Sequence, residues 1–356
     1  MKHTTSLRLP LIALSAALGI LLLFWMIRAP KRVEDRGGLP PNPEPTVDRS
    51  VSPAEPPLSP SAFPERKREL LGMDPAEAVA WILRELESGT DRSTGQDLAI
   101  GRDQNLSSWP SYRVFLIDLL FQVDPDAAAR LSRDLVDAGG SPDEWAVALR
   151  NVAKAEEGAA TLGWLREKSS ELLRNEAWRE DPSAGYLNAF DVIVHTGHTG
   201  LAPELLELCD KPDQRAVRHA SFLVIDRLTQ RKPGELLPLL AEAAGRQANN
   251  RPMISNLMAR ADPRDPVQRA ALERYLLDPN RTADELERFA DIFPNANFHV
   301  SNNLLTGNDG ITGGELSKRD AGALETVERW LAEPSFEKLR PQLEQMRTRL
   351  ERFVGQ

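Results

Sequence analysis

An all-α fold is predicted for the soluble part of this chain, and three observations predict it. Apolar residues recur at three- and four-residue steps almost throughout, alternation suited to strands is nearly absent, and Asp-Pro or Ser-Pro pairs punctuate the sequence. The chain has 356 residues, of which 41% are hydrophobic, enough for a sizeable core.

From the N-terminus, residues 1–8 form a short tail and Leu9 to Ile27 run 19 residues without a charge. A helix of that length spans roughly 28 Å, close to the hydrocarbon thickness of a bilayer. Residues 9–28 are therefore expected to be a single-pass signal anchor. The alternative is a cleaved signal peptide, but the apolar run ends in Phe24, Trp25, Met26, Ile27 and Arg28, a poor cleavage site. The positive-inside rule does not fix orientation, because Lys2 and Arg8 compete with Arg28, Lys31, Arg32 and Arg36. A short tail, one helix and a long soluble region fit export of the C-terminal part, with a cytoplasmic placement as the alternative.

Residues 29–64 read as a disordered, proline-rich linker, with nine of the 27 prolines between positions 37 and 64. Proline fixes φ and donates no backbone hydrogen bond, so the stretch is expected to be a tether. As a polyproline helix throughout, positions 37–64 reach at most ~87 Å. Pro53-Ala54-Glu55-Pro56 and Pro57-Leu58-Ser59-Pro60 match P-x-x-P, a spacing that arises by chance in such a spacer.

Residues 65–356 carry 37 Lys+Arg against 48 Asp+Glu and so hold a net charge of -11. That balance argues against a nucleic-acid partner, which needs clustered basic residues. Apolar stripes run through Val79, Ile82, Leu83 and Leu86, through Trp145, Leu149 and Val152, through Val217, Ala220, Val224 and Leu228, and through Leu339, Leu343, Met346, Leu350 and Phe353. Val114 to Val123 and Ala220 to Leu228 are apolar on more than one face and are expected to be sandwiched between other helices. Asp74-Pro75, Asp124-Pro125, Ser141-Pro142, Asp181-Pro182 and Asp278-Pro279 each supply a capping oxygen followed by a proline, so each is read as a helix start. About 13 helices follow from these signals. Phe298 to Ser301 is the one candidate strand.

Many short helices in series, as in Asp124 to Val152 and in Gln214–Leu228 followed by Pro233–Ala244, are what stacked hairpins require. In this the sequence resembles HEAT-like and other α-helical repeat proteins. The resemblance implies an irregular α-solenoid-like stack over residues 65–350 that binds another protein. The Asp-Pro boundaries keep no fixed period, and a compact irregular helical domain is the alternative.

The chemistry offered is thin. Cys209 is the only cysteine, which rules out an intrachain disulfide framework. His195 and His198, with Asp191 one turn earlier and Cys209 and His219 downstream, include the residue types of a zinc site and would serve a metal-dependent hydrolase. Against this, Gly197 and Gly200 read as helix terminators, a His in a last turn suits the helix dipole, and Cys209 follows Leu205, Leu206 and Leu208 like a small core residue. No H-E-x-x-H, G-x-S-x-G or P-loop is present. Asn295 to Glu315 departs from the helical pattern and is too polar and too long for an ordinary turn. Its Asn297, His299, Asn302, Asn303, Asn308 and Asp309 are the candidate binding residues; an EF-hand is excluded, because the register set by Gly310 puts Leu305, Gly307 and Leu316 at ligand positions. Trp81, Trp145, Trp164, Trp178 and Trp330 fall at stripe positions or helix ends and are expected in the core. Glu156-Glu157 is expected on a solvated face. No cofactor is expected. The function expected is that of a membrane-tethered, non-enzymatic scaffold; a structural role in an envelope complex is a further reading.

Overall fold

A computed structural model describes residues 63–245, 248–308 and 311–354. By internal contacts the chain divides into Met1–Ala54 and Glu55–Gln356, and everything described belongs to the second unit. The expected anchor at 9–28 and most of the linker lie outside the described residues. Among the described residues no helix is long and apolar enough to cross a membrane.

The unit is mostly helical. It opens with α1 (Phe63–Leu71) and α2 (Pro75–Glu87), then a two-stranded antiparallel ribbon, β1 (Ala99–Ile100) and β2 (Leu106–Ser108). There follow α3 (Tyr112–Val123), α4 (Pro125–Ala138), α5 (Pro142–Ala155) and α6 (Ala159–Arg174). Three short helices come next, α7 (Glu176–Glu180), α8 (Ala184–Ala189) and α9 (Asp191–His195). The remainder is α10 (Ala202–Cys209), α11 (Arg215–Arg231), α12 (Pro233–Ala243), α13 (Arg251–Met258), α14 (Pro266–Leu277), α15 (Ala283–Ile292), α16 (Gly313–Ala332) and α17 (Arg340–Val354). The helices pack chiefly as pairs close in sequence: α4 on α5, α10 on α11, α12 on α14, α13 on α15 and α16 on α17.

Local chemistry explains where the helices start. Asp74 accepts from the N–H groups of Ala76 and Glu77, and Asp124 from that of Ala127. Ser141 and Glu144 form a reciprocal capping box, with proline at the first helical position. Gly139, at φ +86°, closes α4 in the left-handed conformation that L side chains rarely adopt, which lets α5 fold straight back on it.

The expected sandwiching is observed. Val114 to Leu120 are all buried, as are Val224, Ile225 and Leu228. Trp145 and Trp330 are buried, while Trp81, Trp164 and Trp178 are partly buried against the core.

Several sequence readings are corrected. The candidate strand Phe298 to Ser301 has no strand pairing; the ribbon lies instead at residues 99–108, where two and three residues were too few to give a readable alternation. Asp181-Pro182 and Asp278-Pro279 are turns rather than caps. The caps are Ser183 and Thr282, the latter in a capping box with Glu285, while Asp278 is spent on the N–H of Asn280 and the guanidinium of Arg281. Helix α1 starts at Phe63, so the last two residues of the expected linker are helical, with Pro64 in the first turn. Glu156 is not simply solvated, for Arg133 and Thr161 both donate to it.

Phe63 fixes α1 to the core: its ring is buried against Phe115 at 4.5 Å between centroids and against Trp109 at 5.9 Å. Truncating such a ring typically costs about 3–5 kcal/mol. Phe63→Ala is expected to lower the urea midpoint of the full chain in detergent accordingly, read by circular dichroism; an unchanged midpoint would mean that α1 is not part of the cooperative core.

Candidate functional site

Three aspartates sit inside otherwise apolar helical runs: Asp118 in α3, Asp191 at the start of α9 and Asp226 in α11. All three are buried. A buried carboxylate needs a counter-charge, and each has an arginine from further along the chain: Arg150 for Asp118 at 2.6 Å, Arg227 for Asp191 at 2.6 Å and Arg260 for Asp226 at 2.5 Å. The partners are 32, 36 and 34 residues apart. Each pair ties one helix to a segment one helical hairpin later.

The irregular segment after α15 is built onto these ties. The Asn295 N–H donates to the carbonyl of Ala259 at 2.7 Å, and Arg260 donates to the carbonyl of Asn297. The His299 ring meets Phe222 of α11 edge-on at 5.5 Å. Further on, the N–H groups of Leu305 and Thr306 donate to Asp191 Oδ2 at 2.7 and 2.9 Å, and the Thr306 hydroxyl donates to its other oxygen. Arg227 completes the clamp by donating to the carbonyls of Thr306 and Gly307. Leu304 is fully buried beside it. Residues 295–308 thus form a strap fixed at both ends by the buried pairs.

The sequence picked out this segment but assigned its asparagines a different role. Asn302 Nδ2 donates to the Ile100 carbonyl of β1 at 2.9 Å, reaching 202 residues back along the chain. Asn303 donates to the Thr306 carbonyl, and Asn308 exchanges two hydrogen bonds with the backbone of Ser301. These amides are spent on folding the strap. Asn297 takes part through its backbone, while its side chain and the His299 ring are exposed. Asp309 lies outside the described residues. Beneath the strap only a crevice of about 10 Å³ remains, bordered by Arg231, Phe298 and His299. Phe298, on the rim of that crevice, is 45% exposed, and Val300 is 78% exposed.

Asp191, His195, His198, Cys209 and His219 are not assembled into a metal centre. Among the described residues no three His, Cys, Asp or Glu side chains come together as ligands. The reason for Asp191 is plain, since Arg227 and the strap occupy both of its oxygens. His195 ends α9, and Gly197 at φ +58° closes it with paired bonds from the N–H groups of Gly197 and His198 to the carbonyls of Val194 and Ile193. His198 is thereby turned out of the helix of His195. Burial lowers the pKa of His195 and of His198. Burial, together with the nearby His299 and Arg215, lowers that of His219. The Cys209 thiol is buried, donates weakly to the Arg218 carbonyl at 3.8 Å and is pushed up to about 12, which leaves it a thiol at neutral pH.

The buried Asp–Arg ties and the clamping of the strap were not read from sequence, although a signal was present. Asp118 in Phe115-Leu116-Ile117-Asp118-Leu119 and Asp226 in Leu223-Val224-Ile225-Asp226-Arg227 interrupt apolar runs, and a charge there requires a buried partner. No protein-family model, curated protein or solved structure matches this chain.

Removing one partner of a buried ion pair typically costs about 3–5 kcal/mol. Asp191→Asn is expected to destabilise the unit by that order and to expose residues 296–308 to limited proteolysis; a variant whose strap stays resistant would show that Asp191 does not hold it. The depressed histidines add a pH dependence. A base whose folded pKa lies below its unfolded value of about 6.5 takes up protons on unfolding, so stability is held above that pH and falls as pH drops through it. The melting temperature should decrease between about pH 7.5 and 5.5, and His195→Gln with His198→Gln should flatten the slope.

Proposed function

We propose that this chain is a membrane-tethered, non-enzymatic helical scaffold that presents a protein-binding surface on the exported side of the membrane. In this reading residues 9–28 anchor it, the proline-rich stretch sets its reach, and the helical unit is an irregular, α-solenoid-like stack of hairpins. The 32-, 36- and 34-residue spacing of the buried Asp–Arg ties supports the stacking.

The observation that carries the functional reading is the strap. Ordering an irregular backbone costs about 1–2 kcal/mol per residue. Here that cost is offset by a buried carboxylate, two guanidinium groups and side-chain amides, yet Phe298 and Val300 contribute little to the core. Apolar side chains held on a fixed support and turned to solvent suit a contact with another protein. Five histidines, one of them at position 3, leave few side chains that titrate near neutral pH, which suits binding better than acid–base chemistry.

A photoactivatable phenylalanine analogue placed at Val300 in the full-length chain, in its native membranes, is expected to give one discrete protein adduct, whereas the same analogue at exposed Glu77 gives none. Identical patterns at the two positions, or no adduct from either Val300 or Phe298, would refute the surface. Protease added to intact cells should leave the helical unit whole, and protease added after the outer barrier is opened should digest it; protection in both cases would place the unit in the cytoplasm.

A further inference from the structure

An open pocket of about 540 Å³ lies among the end of α10, the first turns of α11 and the start of α13. Its size is within the range of small-ligand and side-chain pockets. The polar lining has one sign. Arg215, Arg218 and His219 of α11 stand with the amides of Asn249, Asn250 and Asn256, and among the described residues no carboxylate lines the pocket, although Asp210 and Asp213 lie beside Cys209 and Pro212 in the chain. Phe222 and Met253 supply apolar wall.

Two features give this arrangement direction. First, residues 65–356 carry a net charge of -11, so a pocket lined by cations without an acid runs against the average of the domain. Second, Arg218 makes no salt bridge among the described residues, whereas Arg227, further along the same helix, is paired with Asp191.

We propose that this pocket binds an acidic peptide segment of a partner protein, with a carboxylate between Arg218 and His219 and an adjacent apolar side chain against Phe222 and Met253. Guanidinium groups pair with carboxylates through directed, charge-assisted hydrogen bonds, and the exposed amides of Asn249 and Asn256 can serve the peptide backbone. An anionic membrane surface is disfavoured, because the site is concave and the domain around it is acidic. The proposal rests on the reading of the unit as a protein-binding scaffold but uses a different surface from Phe298 and Val300. Failure of cross-linking at Val300 would leave the pocket standing, and failure of the pocket would leave the strap standing.

The test uses the full chain in detergent and a fluorescein-labelled peptide of alternating Glu and Leu, followed by anisotropy. Saturable binding is expected, weakening as salt is raised, absent for the Gln–Leu analogue and reduced at least about tenfold by Arg218→Glu, with Arg218→Lys retaining most of it. Arg218 is exposed, so the charge reversal should leave the melting temperature unchanged. The proposal is overturned if the Glu–Leu peptide does not saturate, if the Gln–Leu peptide binds equally, or if Arg218→Glu has no effect. It is equally overturned if inorganic phosphate or phosphatidylglycerol vesicles engage Arg218 while the peptide does not.

Discussion

Carboxylates buried inside apolar helices constrain this fold more than any other feature. Asp118, Asp191 and Asp226 are placed where water cannot solvate them, and each is tolerable only if a guanidinium arrives from the right distance along the chain. Apolar packing alone would let neighbouring hairpins slide by a turn with little loss. A buried ion pair does not, because a slip of one turn leaves two charges without partners. The pairs therefore contribute less to net stability than to fixing which helix face meets which.

The strap inherits that constraint. Asp191 has two oxygens, and Arg227 does not exhaust them, so the N–H groups of Leu305 and Thr306 find an acceptor already held in place. Arg260, anchored by Asp226, likewise has a free N–H for the carbonyl of Asn297. An irregular segment thus becomes ordered without strand pairing or helix formation, by borrowing hydrogen-bonding capacity left over from the helix-to-helix ties.

Much of the helical architecture was legible in sequence because it depends on short-range patterns. The stripes of α2, α5, α11 and α17, the caps at Asp74, Asp124 and Ser141 and the sandwiching of Val114 to Val123 all follow from spacing within a few residues. The failures share a cause as well. Asp278 and Asp181 look like caps locally, but Thr282 and Ser183 sit where the chain emerges from its turn. The asparagines of the strap were visible as an anomaly, but that Asn302 reaches Ile100 depends on a separation of 202 residues that no local pattern encodes. Asp191 and His195 share a short helix as expected; what separates Asp191 from metal chemistry is Arg227, whose approach is a tertiary event.

Phe63 opens α1, and its ring is wedged among Trp109, Tyr112 and Phe115. A pull on the N-terminal end of α1 would act on this ring before it reached α2 or α3. Helix α1 is short and lies at one end of the chain's packing order, so under tension it would peel away from α2 and α3 first, one contact at a time, while the charged cross-ties behind it stayed shut. The aromatic wedge would then be the first contact to bear the load, ahead of the charged cross-ties.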